Sequence, residues 1–306
     1  MNRRDLIRAG LVAGGALVYG TKAGRAAPAA EDRIKVPADG KIPVAFLISD
    51  GAVVIDFAGP WEVFQDVMLT DSSLPMDRRM PFNTYTVSAS AKPIRTAGGM
   101  MITPKYTFAN APQPKVIVIP AQDNDGPEVM EWIRKASQKT DVTMSVCTGA
   151  FLLAKTGLLD GKSATTHHAA YKIFEKQFPK VTLKRGARFV EEGNLASAGG
   201  LTSGMDLAQR VVERYFGTQV AEANADNLEY QGVGWKDPGS NAKYTKSAVP
   251  PGYEEDPVCG MAVPKDEQLK AEYKGTTYYF CMESCRRRFL KSPQEFVGTV
   301  PKPKSM

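Results

Sequence analysis

Histidine and cysteine, the side chains that most often carry metal and acid–base chemistry, are scarce in this 306-residue chain. There are two histidines, adjacent at His167 and His168, and four cysteines. With so little histidine, a single Cys–His pair is the one imidazole-dependent arrangement open to a reactive thiol. The cysteines are also unevenly placed. Cys147 stands alone, whereas Cys259, Cys281 and Cys285 cluster near the C-terminal end, so each part holds an odd number, which argues against a disulfide framework. Long apolar runs are missing too: past the first 30 residues, no stretch is apolar enough to cross a bilayer. No long internal repeat or low-complexity tract is present.

A strong charge bias is absent once its location is considered. The formal net charge is +6, but residues 1–30 contribute five basic side chains (Arg3, Arg4, Arg8, Lys22, Arg25) against Asp5, a net of +4, which leaves +2 for the remainder. A nearly balanced chain offers no footprint for a polyanion, and nucleic acid is not expected as a partner. The N-terminal excess has another use. Asn2-Arg3-Arg4-Asp5-Leu6-Ile7-Arg8 precedes a Gly-rich, weakly apolar run that ends in small residues, including Ala27-Pro28-Ala29. Paired arginines before such a stretch are the pattern of a bacterial twin-arginine export signal, so residues 1–30 are expected to direct the chain to the periplasm.

From residue 40 onward, short β-branched runs alternate with helical stretches. Ile42-Pro43-Val44-Ala45-Phe46-Leu47-Ile48, Tyr85-Thr86-Val87-Ser88, Lys115-Val116-Ile117-Val118-Ile119 and Val142-Thr143-Met144-Ser145-Val146 are predicted strands. Helices are predicted around Trp61-Glu62-Val63-Phe64, over 127–139, 149–155 and 206–216, and through a stretch ending near Tyr230. Near-continuous apolar strands separated by helices predict an α/β unit over residues 40–230, a mostly parallel sheet sandwiched by helices. Its ligand site belongs beyond the carboxyl ends of the strands. Residues 231–255, rich in Gly, Pro, Lys and Ser, are expected to form a linker to a second, small α+β unit over 256–297.

The sharpest signal in the large unit is Ser145-Val146-Cys147-Thr148-Gly149, set between a strand and a helix. Small residues two before and two after a nucleophile let the chain turn abruptly, which is the geometry of a nucleophile elbow with cysteine in place of serine. At a helix N-terminus the sulfur is expected to be favoured as thiolate, and the Thr148 N–H to stabilise an anion developing on a substrate. No cofactor is expected there. The candidate proton carrier is Asp56 in Val53-Val54-Ile55-Asp56-Phe57-Ala58-Gly59-Pro60, expected to lie partly desolvated just after the first strand with a raised pKa. The structural alternative is that Asp56 caps a helix starting near Pro60. Pairing of Cys147 with His167 or His168 ranks below Asp56.

Asp56-Phe57-Ala58-Gly59-Pro60, Ser145-Val146-Cys147-Thr148-Gly149-Ala150, Gly157-Leu158-Leu159-Asp160-Gly161, Ala164-Thr165-Thr166-His167 and Ala198-Gly199-Gly200-Leu201-Thr202-Ser203-Gly204-Met205-Asp206, in this order, resemble the ThiJ/PfpI superfamily. Their combination is most similar to the isonitrile hydratase branch and to the amidase-like sensor domain of AraC-type regulators. The resemblance spans residues 42–230. It implies a class I glutamine amidotransferase-like sandwich, often dimeric, so a homodimer through the large domain is expected. It also implies that Cys147 attacks the carbon of a small carbon–nitrogen substrate, that Asp56 handles the proton and that Thr148 supports the site. Two departures stand out. The turn after Ile119-Pro120 usually carries paired glycines but here reads Ala121-Gln122-Asp123-Asn124, and the histidine that follows the cysteine in protease-like members is replaced by Thr148.

In the small unit, Asp256-Pro257-Val258-Cys259-Gly260-Met261 is followed by Tyr278-Tyr279-Phe280-Cys281-Met282-Glu283-Ser284-Cys285. Cys281 closes an aromatic strand and Cys285 lies one helical turn on, so both sulfurs face one point that Cys259 can also reach. About 40 residues bury little core, and a bound ion would supply part of the folding free energy. Three thiolates suit zinc, or Cu(I) in trigonal coordination. This pattern resembles the YHS domain, a small heavy-metal-associated module. With no histidine in the unit, a fourth ligand has to be Met261, Met282, Asp256, Glu283 or water; the alternative is one disulfide and a spare thiol. Two classes of function follow: a cysteine-dependent hydratase or hydrolase with a metal module, or a non-catalytic periplasmic sensor or copper- or zinc-binding protein.

Overall fold

The computed structural model describes residues 33–245, 249–265 and 268–297; the candidate export segment lies outside them. The four predicted apolar runs form strands, joined by three the sequence reading did not anticipate, in a seven-stranded sheet. They are β1 (Ile42–Leu47), β2 (Phe82–Ser88), β3 (Tyr106–Thr107), β4 (Val116–Ile119), β5 (Val142–Val146), β6 (Phe189–Glu192) and β7 (Leu195–Ala198), arranged β6-β7-β5-β4-β1-β2-β3. Every neighbouring pair is parallel except the β6–β7 hairpin. Parallel strands need both faces covered, and β4 and β5 are accordingly buried at every residue.

Alternation along β1 divides the core. Val44 and Phe46 face one layer with Phe64, Phe82 and Tyr215, while Ala45 and Leu47 face the other with Ile133, Phe151 and Phe174. The first layer is α1 (Val54–Gln65), α5 (Ser203–Phe216) and α6 (Thr218–Asn227); the second is α2 (Pro127–Ser137), α3 (Gly149–Lys155) and α4 (Tyr171–Gln177). None of the described helices is long and apolar enough to cross a membrane.

Two details differ from the sequence expectation. Helix α1 begins at Val54 and carries Pro60 inside it, so Asp56 sits in the first helical turn and makes no capping hydrogen bond at Pro60. The connecting stretch is anchored for part of its length: Trp235 is buried, its N–H donates to Asp206 Oδ1 at 2.9 Å, and Arg188 Nε reaches Asp206 Oδ2 at 2.6 Å.

The small unit contains two antiparallel pairs, β8 (Tyr253–Glu255) with β9 (Ala262–Pro264) and β10 (Lys270–Tyr273) with β11 (Thr276–Tyr279), followed by α7 (Glu283–Lys291). Lys274 and Gly275 both have positive φ, as the two-residue turn joining β10 to β11 requires. Its core is small: Val258, Phe280, Cys285 and Phe289 are the buried members, with the Phe280 and Phe289 rings 5.1 Å apart.

Candidate functional site

Strand β5 delivers Cys147 to the carboxyl edge of the sheet, where the chain reverses into α3. Cys147 adopts φ +58°, a left-handed conformation that a β-carbon disfavours by about 1–2 kcal/mol. The surroundings hold it there: its N–H donates to the Gly199 carbonyl at 2.8 Å, and its own carbonyl accepts the Thr166 hydroxyl at 2.9 Å. Gly149 permits the sharp exit, because a β-carbon there would lie 2.2 Å from the Ile119 carbonyl oxygen. The strand-to-helix elbow predicted from the small-residue bracket is therefore present.

Asp56 reaches the same place from α1. It is fully buried; Oδ2 accepts the Ala121 N–H at 3.1 Å, while Oδ1 has no hydrogen-bond partner. Burial pushes its pKa up to about 7, against smaller lowering by the Ala121 N–H and by the nearby Cys147 thiol. The carboxyl is thus poised to hold or release a proton near neutrality.

The thiol itself departs from expectation. Instead of a stabilised thiolate, burial first and the Asp56 charge second push the Cys147 pKa well above its ordinary value. The N–H groups of Thr148 and Leu201 pull the other way without prevailing. Desolvation outweighs the N-terminal field of α3, which is only seven residues long. The Cys147 thiol is therefore held protonated, beside the buried acid.

Sequence reasoning missed two contributors. Leu201, itself at φ +50°, presents its N–H to the sulfur, and Thr166 clamps the elbow from the opposite side. Both lie in stretches that entered the sequence reading only as motifs of the family resemblance. Gln122, in the altered turn after β4 that the sequence had singled out, is buried and donates Nε2–H to the Leu47 carbonyl at 3.1 Å. The Ala121 N–H is committed to Asp56.

His167 borders a cavity that Cys147, Thr148, Gln122 and Leu201 also line, and its Nδ1 accepts the Ala169 N–H at 3.3 Å. Burial lowers its pKa to about 4, so the ring is neutral at neutral pH. His168 stacks on Tyr244 instead, with centroids 4.7 Å apart.

The second constellation is in the small unit. Cys259 and Cys281 Sγ are 3.4 Å apart and Cys281 and Cys285 Sγ 3.8 Å apart, all as free thiols, so no disulfide forms. With an Asp256 oxygen, the four candidate ligand atoms lie within 4.8 Å of one another. Tetrahedral zinc with Zn–S bonds of about 2.3 Å separates its sulfurs by about 3.8 Å, so the donor set and its spacing fit a thiophilic ion. Asp256 also shapes the site. It is fully buried, accepts the Val258 N–H at 2.8 Å and the Cys281 N–H at 2.9 Å, and so ties together the two turns that carry the thiols. Thiol hydrogens from Cys259 and Cys285 converge on Cys281, which holds its sulfur on the thiolate side and keeps its neighbours protonated.

Comparison with known proteins agrees with this two-part layout. The model of the DJ-1/PfpI family matches residues 43–214, and that of the YHS domain matches residues 255–300. Isonitrile hydratase of Pseudomonas putida is 29% identical over 194 residues, covering 62% of this chain and 78% of the hydratase. The HTH-type transcriptional regulator GbdR of Pseudomonas aeruginosa is 22% identical over 204 residues, 65% of this chain, which spans about half (54%) of the regulator's length. The crystal structure of a ThiJ/PfpI family protein from Pseudomonas syringae superimposes with a TM-score of 0.55 at 24% identity, covering 63% of this chain and 76% of that one, a likeness of fold.

Proposed function

The chain belongs to the DJ-1/PfpI family and carries a YHS domain behind it, and from that premise we propose that it is an exported, cysteine-dependent hydratase or hydrolase of a small carbon–nitrogen substrate, with an isonitrile as the representative case. The observation that carries this reading is the buried Asp56 carboxyl, with a pKa of about 7, beside a strained Cys147 that borders a cavity of about 240 Å³. That volume falls below the roughly 300–1,000 Å³ of pockets for drug-sized ligands, which favours a small substrate.

The chemistry follows from the resting thiol–acid pair. Cys147 Sγ adds to the terminal carbon of R–NC while Asp56 relays the thiol proton to that carbon, leaving a thioimidate, R–N=CH–S–Cys147. Water then adds to the same carbon. The C–S bond breaks, the proton returns to sulfur, and R–NH–CHO leaves. The N–H groups of Thr148 and Leu201 steady the sulfur as its charge changes. Cys259, Cys281 and Cys285, with Asp256 behind them, would hold zinc or copper, an ion that supplies Lewis acidity when bound.

Wild type should hydrate a simple isonitrile to its formamide and Cys147→Ala should not; equal rates would remove the catalytic reading. A second reading, a non-catalytic sensor or metal-binding protein, is favoured by one feature, the commitment of the Ala121 N–H to Asp56, which withdraws that donor from a substrate. Periplasmic location and twin-arginine export are part of the proposal. Accumulation in the cytoplasm on changing Arg3 and Arg4 to lysine tests them. A homodimer through the large domain is likewise proposed, with sedimentation as its test.

A further inference from the structure

The two constellations meet. The cavity that reaches Cys147, Thr148 and Leu201 is bounded on its other side by Cys259, Cys281 and Cys285 together with Met261 and Met282. The small unit is seated there by a close backbone fit. Gly260, at φ +77°, packs so near the Ala169 carbonyl that a β-carbon would lie 1.7 Å from its oxygen, and no other residue can occupy that position. Two ion pairs flank the contact, Lys172 with Glu255 at 2.9 Å and Arg287 with Asp123 at 3.5 Å. In the thiol cluster, the one carboxylate already accepts backbone N–H groups from both cysteine turns. The side of the cluster that borders the cavity presents sulfur, with two thioethers beside it.

We propose that the two units build one binding site, which takes a small molecule with an apolar body and a soft donor end, a carbon or sulfur lone pair. The donor end lies between Cys147 and the three sulfurs with the ion they hold; the body rests on Val53, Leu201 and Met261. Thiols and thioethers match soft donors and soft ions rather than oxygen ligands, and the side chains of the small unit thereby set which substrates fit. The inference deepens the reading of Cys147 as the nucleophile and rests on it for the identity of the substrate. Shared binding itself needs no turnover.

The test uses the full-length chain with Cys147→Ala, loaded with Co(II) and titrated with tert-butyl isocyanide while the thiolate–cobalt absorption bands are followed. A saturable change is expected. Leu201→Trp and, separately, Val53→Trp fill the cavity from two walls away from the thiols, and each should weaken that response by roughly tenfold or more with cobalt stoichiometry unchanged. Using both variants, each with its far-UV circular dichroism recorded, guards against a local folding defect in one. Failure to bind cobalt, absence of a spectral change, or equal affinity in all three chains overturns the shared site; the last would mean that the ion is reached from solvent. Failure of the catalytic reading would show differently, as isocyanide that binds the wild type and is never converted.

Discussion

The two cysteine sites of this chain are held by opposite means. Cys147 is one sulfur imposed on an unfavourable backbone by a seven-stranded sheet and two helical layers, a scaffold large enough to sustain strain at one residue. The thiol trio is three sulfurs gathered by a unit whose buried core is four side chains, with Asp256 cross-tying its turns. A large core can hold reactive geometry without a ligand, whereas a small one must borrow stability from the ion it collects. The fold around the first site should therefore be indifferent to metal, and that around the second organised by it.

The largest expected effect separates them directly. Chelation, or the double change Cys281→Ser/Cys285→Ser, should make residues 256–297 at least roughly tenfold more susceptible to protease while leaving the large domain's melting transition in place. Equal resistance with and without metal would break the comparison. At the other site, Asp56→Asn should lower isonitrile turnover by about 10²–10⁴-fold and leave zinc content unchanged, by kinetics and elemental analysis.

Its stability signature carries a definite sign. Asp56 has a folded-state pKa of about 7 against 3.8 for the free group, so the folded chain binds the extra proton. The stability contributed by that proton is complete below about pH 4 and is lost as pH rises towards 7. Asp56→Asn should therefore gain on wild type across that window, in denaturant melts run at a series of pH values. A gap that narrows with rising pH would mean the carboxyl is not desolvated.

Relief of strain is the next smaller effect. Cys147→Gly should abolish turnover yet stabilise the large domain by about 1 kcal/mol, because glycine accepts φ +58° freely. A lower melting temperature would show that the thiol's packing outweighs its backbone cost. Smallest of all, Lys172→Ala removes a half-exposed ion pair to Glu255 and should cost no more than about 0.5 kcal/mol, with little change in the accessibility of Cys147 to iodoacetamide.

How much of this the sequence discloses depends on how local the cause is. Four of the seven strands, β1, β2, β4 and β5, and the turn at Cys147 were legible because apolar runs and small residues act over a few positions, as in Ser145-Val146-Cys147-Thr148-Gly149; the two-residue β3 and the β6–β7 hairpin were not. The thiol spacing at Cys281 and Cys285 was legible for the same reason. Helix α1 was misjudged at its start, since Pro60 looks like a first-turn proline and instead lies within a helix that already contains Asp56. The protonation of Cys147 was not legible: the dipole is written in neighbouring residues, but the desolvation that overrides it comes from distant ones. Nor was the meeting of the two sites, which joins residues more than a hundred positions apart.

That meeting hangs on a missing methyl group. Because the Ala169 carbonyl fills the space a β-carbon at residue 260 would need, the joint is keyed: the tail docks in this pose with glycine or not in this pose at all. A related chain with any other residue there would have to park its tail elsewhere, and its two sulfur sites would work as strangers. One codon thus reports whether the appendage is a lid or a passenger.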